Sequence, residues 1–259
     1  MTSHGMSEEA WELAAIERLG ETDFWEPLTG HDIAPGTGLR DTWTDPVVGP
    51  WVMEALIRLN QDVPTQHLQQ ALADILSTTS QDAITENRRM HDLLVHGYRG
   101  LTYTDSDGRE VNPTIWLLSP QADENDYHVV NQVTVRVGDH QRRFDIVLYV
   151  NGLPLVIIEL KKAGSEKADV SAAYAQLATY VRELPMAFRF CVLTVISDGV
   201  VAKYGTPFTP LNHFAPWNVD DNGSPLTAYD TDELGNHHTG LDVLIDGLFN
   251  VERFLQIVR

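Results

Sequence analysis

The sequence has a single cysteine, Cys191, among its 259 residues, so an intramolecular disulfide bond is impossible. It also lacks any apolar run near the length of roughly 20 residues that a membrane-spanning helix needs. The N-terminus carries acidic residues where a signal peptide would have an apolar segment. We therefore expect a soluble cytoplasmic protein with a core of its own and no membrane partner.

Positive charge is scarce as well. The chain has 18 Lys and Arg against 37 Asp and Glu, which gives a formal net charge of −19. This sign is wrong for a typical nucleic-acid binder, because contacts to phosphate come from Lys and Arg. The few basic residues are nevertheless clustered, around Arg88, between Arg136 and Arg143, and at Lys161 and Lys162. A local basic cleft, or basic surface supplied by partners, stays compatible with this composition.

Hydrophobic periodicity predicts helices in the first part of the chain and mostly strands in the second. The predicted helices are 8–19, 47–60, 64–78, 82–95, 167–184 and one or two within 241–259. The predicted strands are 127–137, 144–150, 153–160, 188–197 and 201–205, with a small hairpin at 98–113. A stretch rich in Gly, Pro and Thr, with no assigned helix or strand, follows the first helix, and the polar segment 218–240 is predicted to be a loop or excursion. The fold class is therefore α/β, with a mixed β-sheet flanked by helices.

Three charged residues, Asp145, Glu159 and Lys161, are set into the hairpin formed by strands 144–150 and 153–160. Side chains alternate across a sheet, so Glu159 and Lys161 share a face. A three-residue loop would place Asp145 opposite Glu159. A two-residue Asn-Gly turn would send Asp145 to the other face, unless a β-bulge corrected the register. We predict one of the two arrangements that bring the carboxylates together.

Such a trio suits a particular chemistry. Two converging carboxylates repel each other and need a cation, and hard oxygen ligands favour Mg²⁺ or Mn²⁺. Lys161 would reach past the ion toward a water molecule or a phosphate oxygen, as metal-assisted phosphodiester hydrolysis requires. The alternative is an ordinary sheet whose outer face carries charges. The apolar residues on both sides of Glu159 favour a buried strand instead, and a buried carboxylate needs a partner.

The spacing Asp-x13-Glu-x-Lys on a hairpin resembles that of the PD-(D/E)xK nuclease superfamily. Further segments that carry a resemblance are NRRMHDLLVHG from Asn87, VVNQVTV from Val129, AYAQLATY from Ala173 and VISDG from Val195. Their order and spacing are similar to those of the N-terminal nuclease domain of the restriction (R, HsdR) subunit of type I restriction-modification enzymes. The resemblance is strong over residues 50–210. It implies a restriction-endonuclease-like fold with additional N-terminal helices.

The resemblance implies a role for each matching position. Asp145 and Glu159 would be metal ligands together with the backbone carbonyl of Leu160, and Lys161 would be the catalytic lysine. Glu86 is a candidate for a further metal ligand. The residues expected to support the site or to contact DNA are Gln176, Tyr180, Lys162 and Arg143. Gln176 and Tyr180 lie four residues apart on a predicted helix and so share a face.

The implied activity is Mg²⁺-dependent cleavage of double-stranded DNA, with Mn²⁺ able to substitute. The implied partners are the helicase/translocase domains of the same subunit, which would use the ATP, and the modification and specificity subunits. We expect the isolated segment to be weakly active or inactive, because its net charge repels DNA and the motor delivers the substrate. Two alternatives are a docking or regulatory domain that couples to the motor, and a stand-alone nuclease of the same superfamily.

Three regions are expected. Residues 1–46 would be an N-terminal helical extension packed on the core, residues 47–217 the nuclease core, and residues 218–259 a polar loop and helix. The apolar pattern runs to Arg259 with no polar tail. We therefore expect the natural chain to continue toward a motor domain.

Overall fold

The computed structural model describes residues 7–22, 24–162, 170–220, 223–226 and 238–259. It confirms the α/β class: a central mixed sheet of six strands is flanked by helices. Most of the predicted loop 218–240 lies outside the described residues. Within them, no helix is long and apolar enough to cross a membrane.

The strands are β1 (Trp25–Thr29), β2 (Tyr103–Thr104), β3 (Glu110–Val111), β4 (Tyr127–Val137), β5 (His140–Val150), β6 (Leu153–Leu160), β7 (Leu193–Ser197) and β8 (Ala202–Gly205). The sheet order is β1-β4-β5-β6-β7-β8, while β2 and β3 form a separate small hairpin. β4, β5 and β6 are an antiparallel meander, which contains the predicted hairpin of β5 and β6. β7 joins β6 in parallel and β8 pairs antiparallel to β7, which confirms the predicted short last strand.

The helices are α1 (Glu8–Gly20), α2 (Gly49–Leu59), α3 (Thr65–Leu76), α4 (Ala83–His96), α5 (Val170–Glu183), α6 (Gly240–Leu248) and α7 (Val251–Val258). Side-chain caps mark several of their starts. Ser7 accepts a hydrogen bond from the Ala10 amide, and Asp82 accepts one from the Thr85 amide. Such caps satisfy amide groups that have no partner inside the helix.

Strand β1 lies in the Gly-, Pro- and Thr-rich stretch after α1, where the sequence pattern predicts neither a helix nor a strand. It pairs in parallel with β4, from Trp25 opposite Tyr127 to Thr29 opposite Asn131. Only one of its five residues, Trp25, is fully buried, and Pro27 lies in the middle. Proline is tolerated on an edge strand, where its missing N–H faces no neighbour. A short, exposed edge strand has too little alternation of apolar and polar residues to be predicted from the sequence.

The two faces of the sheet are covered by two hydrophobic clusters. One contains Trp11 of α1 and Leu244 of α6, together with buried residues of α2, α3, α4 and α7. The other contains Leu177 and Tyr180 of α5. The first cluster takes residues from both sides of positions 46 and 217. The proposed division of the chain at those positions stays a prediction, and the first 46 residues supply a sheet strand in addition to a helix.

Candidate active site

The β5–β6 hairpin has a two-residue turn and a β-bulge, one of the two predicted arrangements. Asn151 and Gly152 form the turn, with φ of 51° and 79°. Both values are left-handed, as in the tight turns that match strand twist. The pairing shifts from Leu148 opposite Val156 to Tyr149 opposite Pro154, so Leu155 is extra. The bulge restores the register that the two-residue turn alone would lose.

Gly152 allows the turn to lie against the start of α2. A Cβ atom there would lie 2.6 Å from the Val48 carbonyl oxygen. We expect Gly152→Ala to lower the free energy of unfolding by about 3 kcal/mol, from left-handed strain plus overpacking. Gly108→Ala is the matched control, because its φ is 78° and no atom lies within 4 Å of a Cβ there. It should cost about 1 kcal/mol in urea unfolding. If both variants lost the same free energy of unfolding, the close approach of Gly152 to Val48 would make no contribution.

The hairpin brings the predicted carboxylates together at its open end. The paired ladder ends at Ile146 and Ile158, and Asp145 and Glu159 come next on the two strands. The Leu160 amide donates a hydrogen bond of 2.8 Å to Asp145 Oδ2. Glu159 has no exposed surface, and Asp145 is only 5 % exposed. Two buried carboxyl groups therefore lie on adjacent strands.

Lys161 lies at the same point. Its Nζ is 2.9 Å from Glu159 Oε1 and 2.6 Å from the Leu160 carbonyl oxygen. It is also 3.3 Å from Glu8 Oε1 of helix α1. The ammonium thus contacts one predicted metal ligand and the carbonyl predicted as another.

Burial, together with the charge of the nearby Asp145 carboxylate, raises the pKa of Glu159 to about 9. Burial also raises the pKa of Asp145, although the bond from the Leu160 amide opposes the shift. The Oε2 atom of Glu159 is buried without a hydrogen-bond partner among the described residues. A buried polar atom without a partner is costly. A divalent cation would satisfy it, so the donor set fits a hard metal ion.

Helix α1 supplies two carboxylates that the sequence analysis missed. Oxygen atoms of Glu8, Glu12 and Asp145 all lie within 4.8 Å of one another, close enough to share a metal ion. Burial raises the pKa of Glu12 to about 7, against a hydrogen bond from the Gln132 side chain. One signal was available in the sequence. Glu8 and Glu12 lie four residues apart, beside the apolar stripe that begins at Trp11.

Gln176 and Tyr180 share a face of α5, and the Gln176 amide donates a hydrogen bond to the Tyr180 hydroxyl. The Tyr180 ring centroid lies 5.6 Å from that of Phe144, the residue before Asp145. Burial raises the pKa of Tyr180 to about 12, with a contribution from the charge of Glu159. The pair therefore lies beside the carboxylates. Its role in contacting DNA stays a prediction.

The remaining predicted residues differ in their surroundings. Arg143, two residues before Asp145, and Lys162, directly after Lys161, are both exposed. Glu86 is fully buried, but it is not among the clustered carboxylates. Its Oε1 accepts hydrogen bonds from Thr79 and Ser80, and its Oε2 forms an ion pair of 2.9 Å with Arg89. Both oxygens are thus engaged in holding the start of α4, and we leave Glu86 out of the ligand set.

The sequence family described as type I restriction enzyme R protein N terminus matches residues 5–213. This chain belongs to that family. The type I restriction enzyme HindI endonuclease subunit of Haemophilus influenzae is 29% identical over 251 residues, which are 95% of this chain and 23% of that protein. The EcoprrI endonuclease subunit of Escherichia coli is 31% identical over 192 residues, or 70% of this chain and 58% of that protein.

A shorter match covers 31% of this chain. There, the SauCOLORF180P endonuclease subunit of Staphylococcus aureus is 35% identical over 82 residues. The relatives confirm the resemblance to type I R subunits and support a nuclease role. This chain matches less than a quarter of the Haemophilus protein and little more than half of the Escherichia protein.

Proposed function

We propose that this chain is the Mg²⁺-dependent endonuclease domain of a type I restriction enzyme R subunit. One observation carries the proposal: Asp145 and Glu159 follow the last paired residues of adjacent strands, and Glu159 Oε2 is buried there without a partner among the described residues. Burying an ionisable oxygen in this way costs free energy, and a bound cation compensates for that cost. Family membership adds the expectation that the chemistry is cleavage of DNA.

The proposed ligands are Asp145, Glu159 and the carbonyl of Leu160, with Glu12 as a fourth supplied by α1. All are oxygen donors, which suits Mg²⁺ and allows Mn²⁺ to substitute. A divalent cation bound there would acidify a water molecule and stabilise charge on the phosphodiester. Glu8 belongs to the same cluster of carboxylates as Glu12 and Asp145, and it shares Lys161 with Glu159.

The proposed role of Lys161 follows from its contacts. Its ammonium lies against Glu159 and the Leu160 carbonyl. Both of those groups belong to the proposed ligand set. The flexible side chain would turn outward when they bind a cation, and its charge would then stabilise the scissile phosphate in the transition state. Gln176 and Tyr180 would support this arrangement from α5, and Arg143 and Lys162 would contact the DNA backbone.

We further propose that double-stranded DNA reaches this site through partners. The relatives are named as endonuclease subunits, and this chain matches only part of their length. The translocase domains of the same subunit would use the ATP, in a complex with modification and specificity subunits. The net charge of −19 disfavours DNA binding by this segment alone. Weak or absent cleavage by the isolated segment is therefore expected.

Metal binding tests the proposal directly. We expect this chain to bind Mn²⁺ in calorimetry at neutral pH, and Asp145→Asn to raise the dissociation constant about 100-fold or more, because it removes a charged ligand. Asp62→Asn, at an exposed position outside the site, is the matched control and should bind as the wild type does. Failure of the wild-type chain to bind Mn²⁺ would leave the docking alternative as the better explanation of the fold.

A further inference from the structure

Gln132 has an unusual backbone in the interior of a strand. Its φ is 56°, a left-handed value that residues other than glycine rarely adopt. The β4–β5 ladder passes from Asn131 opposite Ile146 to Val133 opposite Phe144 and omits Gln132 and Asp145. Backbone strain of this kind persists only when the surrounding structure imposes it, and it gathers at functional sites.

The distortion reverses the faces of β4. Val129 packs in the cluster beneath α1, whereas Val133, four residues on, packs in the cluster on the opposite face. In a regular strand an even separation keeps two side chains on one face. The left-handed residue between them therefore changes the course of the strand beside Asp145.

The neighbouring edge strand accommodates the distortion. The Gly30 amide, just after β1, donates a hydrogen bond of 2.7 Å to the Asn131 carbonyl. A Cβ atom at Gly30 would lie 2.2 Å from the carbonyl oxygen of Gln132. No side chain fits there, so this close approach of the two backbones requires glycine at position 30.

The Gln132 side chain also makes a specific contact. Its Nε2 donates a hydrogen bond to Glu12 Oε2 on α1, which joins the distorted strand to the helix that carries two of the clustered carboxylates. Glu12 is 6 % exposed, so this bond lies in a largely enclosed setting. A charge-assisted hydrogen bond there fixes one carboxylate oxygen and thereby the orientation of the group.

We propose that Gln132 is a positioning residue for the metal site: its left-handed backbone aims the side-chain amide at Glu12 and holds that carboxylate toward Asp145. The inference rests on the proposed function, since it requires that Glu12 bind the metal. It extends that function to a residue on a third strand, one that touches neither the cation nor the substrate. Hydrogen-bonding partners of metal ligands commonly change metal affinity 10- to 100-fold when they are removed.

If Gln132 serves only to turn the strand, removing its side-chain amide should leave Mn²⁺ affinity unchanged. Two variants separate this structural role from the positioning role. Gln132→Asn keeps a residue type that tolerates left-handed φ but has too short a side chain to reach Glu12. Gln132→Gly favours the left-handed backbone and removes the side chain altogether. We expect both variants of this chain to raise the Mn²⁺ dissociation constant by about 10- to 100-fold in calorimetry. Thermal midpoints should stay near the wild-type value.

The controls define which outcome overturns which idea. Gln141→Asn removes a glutamine contact to Arg136 on the exposed part of the sheet and should leave Mn²⁺ affinity unchanged. In a Glu12→Gln background, Gln132→Asn should cause no further loss, because the bonded group is already altered. If the wild type binds Mn²⁺ and both Gln132 variants bind it equally well, the positioning role is wrong and the proposed function stands. If the wild type binds no Mn²⁺, both are wrong.

Discussion

In the restriction complex proposed above, Lys161→Met is expected to reduce DNA cleavage about 10²- to 10³-fold. This is the loss that follows removal of one positioned group that stabilises transition-state charge. Methionine keeps much of the length of the side chain and removes its charge. The same change should strengthen Mn²⁺ binding, because the ammonium lies 2.9 Å from Glu159 Oε1 and 2.6 Å from the Leu160 carbonyl. In the variant, Mn²⁺ would bind those oxygens without competition from the ammonium.

The measurement has two parts, so that failure of assembly is not mistaken for loss of catalysis. Cleavage of a plasmid that carries the recognition site is followed together with ATP hydrolysis, which reports that the motor is assembled and running. Calorimetry on this chain gives the Mn²⁺ affinity. Lys203→Met, on β8, is the matched control and should cut normally. Normal cleavage by Lys161→Met with normal ATP hydrolysis would remove Lys161 from the proposed mechanism.

The second large effect is on stability, and it arises from the buried carboxyl of Glu159. Its pKa in the folded chain is about 9, against 4.5 for the unfolded reference. The folded state therefore keeps a proton that the unfolded state releases, so stability is greatest below pH 4.5 as far as this group is concerned. It falls as pH rises from 4.5 toward 9. Each pH unit in that window costs about 1.4 kcal/mol, or about 3 kcal/mol by pH 7.

Glu159→Gln should remove that loss, because glutamine has the shape of a protonated glutamate and does not ionise. In metal-free urea unfolding at pH 7 we expect the variant to be more stable than the wild type by about 3 kcal/mol, and the difference to vanish near pH 4. Excess Mn²⁺ should stabilise the wild type by binding the folded state and leave the variant almost unchanged.

The exposed helical residue Glu54 offers the control, since Glu54→Gln should follow the wild-type pH profile. A wild-type chain whose stability relative to Glu159→Gln rises between pH 5 and pH 8 would contradict the buried, protonated carboxyl. The same experiment relates stability to function, because the group that destabilises the metal-free fold is the one proposed to bind the metal.

The sequence predicted the hairpin well because its signals are local. Apolar strands around Asn151 and Gly152 indicate a turn. The expectation that Asp145 and Glu159 act together then narrows the register to a three-residue loop or a bulge. The bulge at Leu155 has no such local signal, and the turn beside it packs against the start of α2 at Gly152, which is a tertiary contact. Residues 188–197 show a similar limit. Apolar continuity predicted a strand throughout, but β7 begins only at Leu193.

Glu8 and Glu12 are hard to predict for a different reason, since their spacing on α1 is only a weak signal. On α1 they resemble ordinary polar positions of an amphipathic helix, and nothing local connects them to a strand far along the chain. The link is made by Gln132, whose left-handed backbone no periodicity reveals. Glu86, which looked promising on α4, is engaged with Arg89, Thr79 and Ser80 instead. Tertiary packing decides which groups a buried carboxylate contacts, and the sequence pattern of one helix does not show it.

The distance along the chain between α1 and the hairpin has a consequence for synthesis. Glu12 leaves the ribosome well over a hundred residues before Asp145 and Glu159 exist. Until β4, β5 and β6 have emerged, Trp11 and Ala15 have no sheet on which to pack. Contacts between such distant residues form late, because the intervening chain must first be ordered. A partly made chain would therefore hold the carboxylates apart, and the proposed metal site could form only after β6 has emerged.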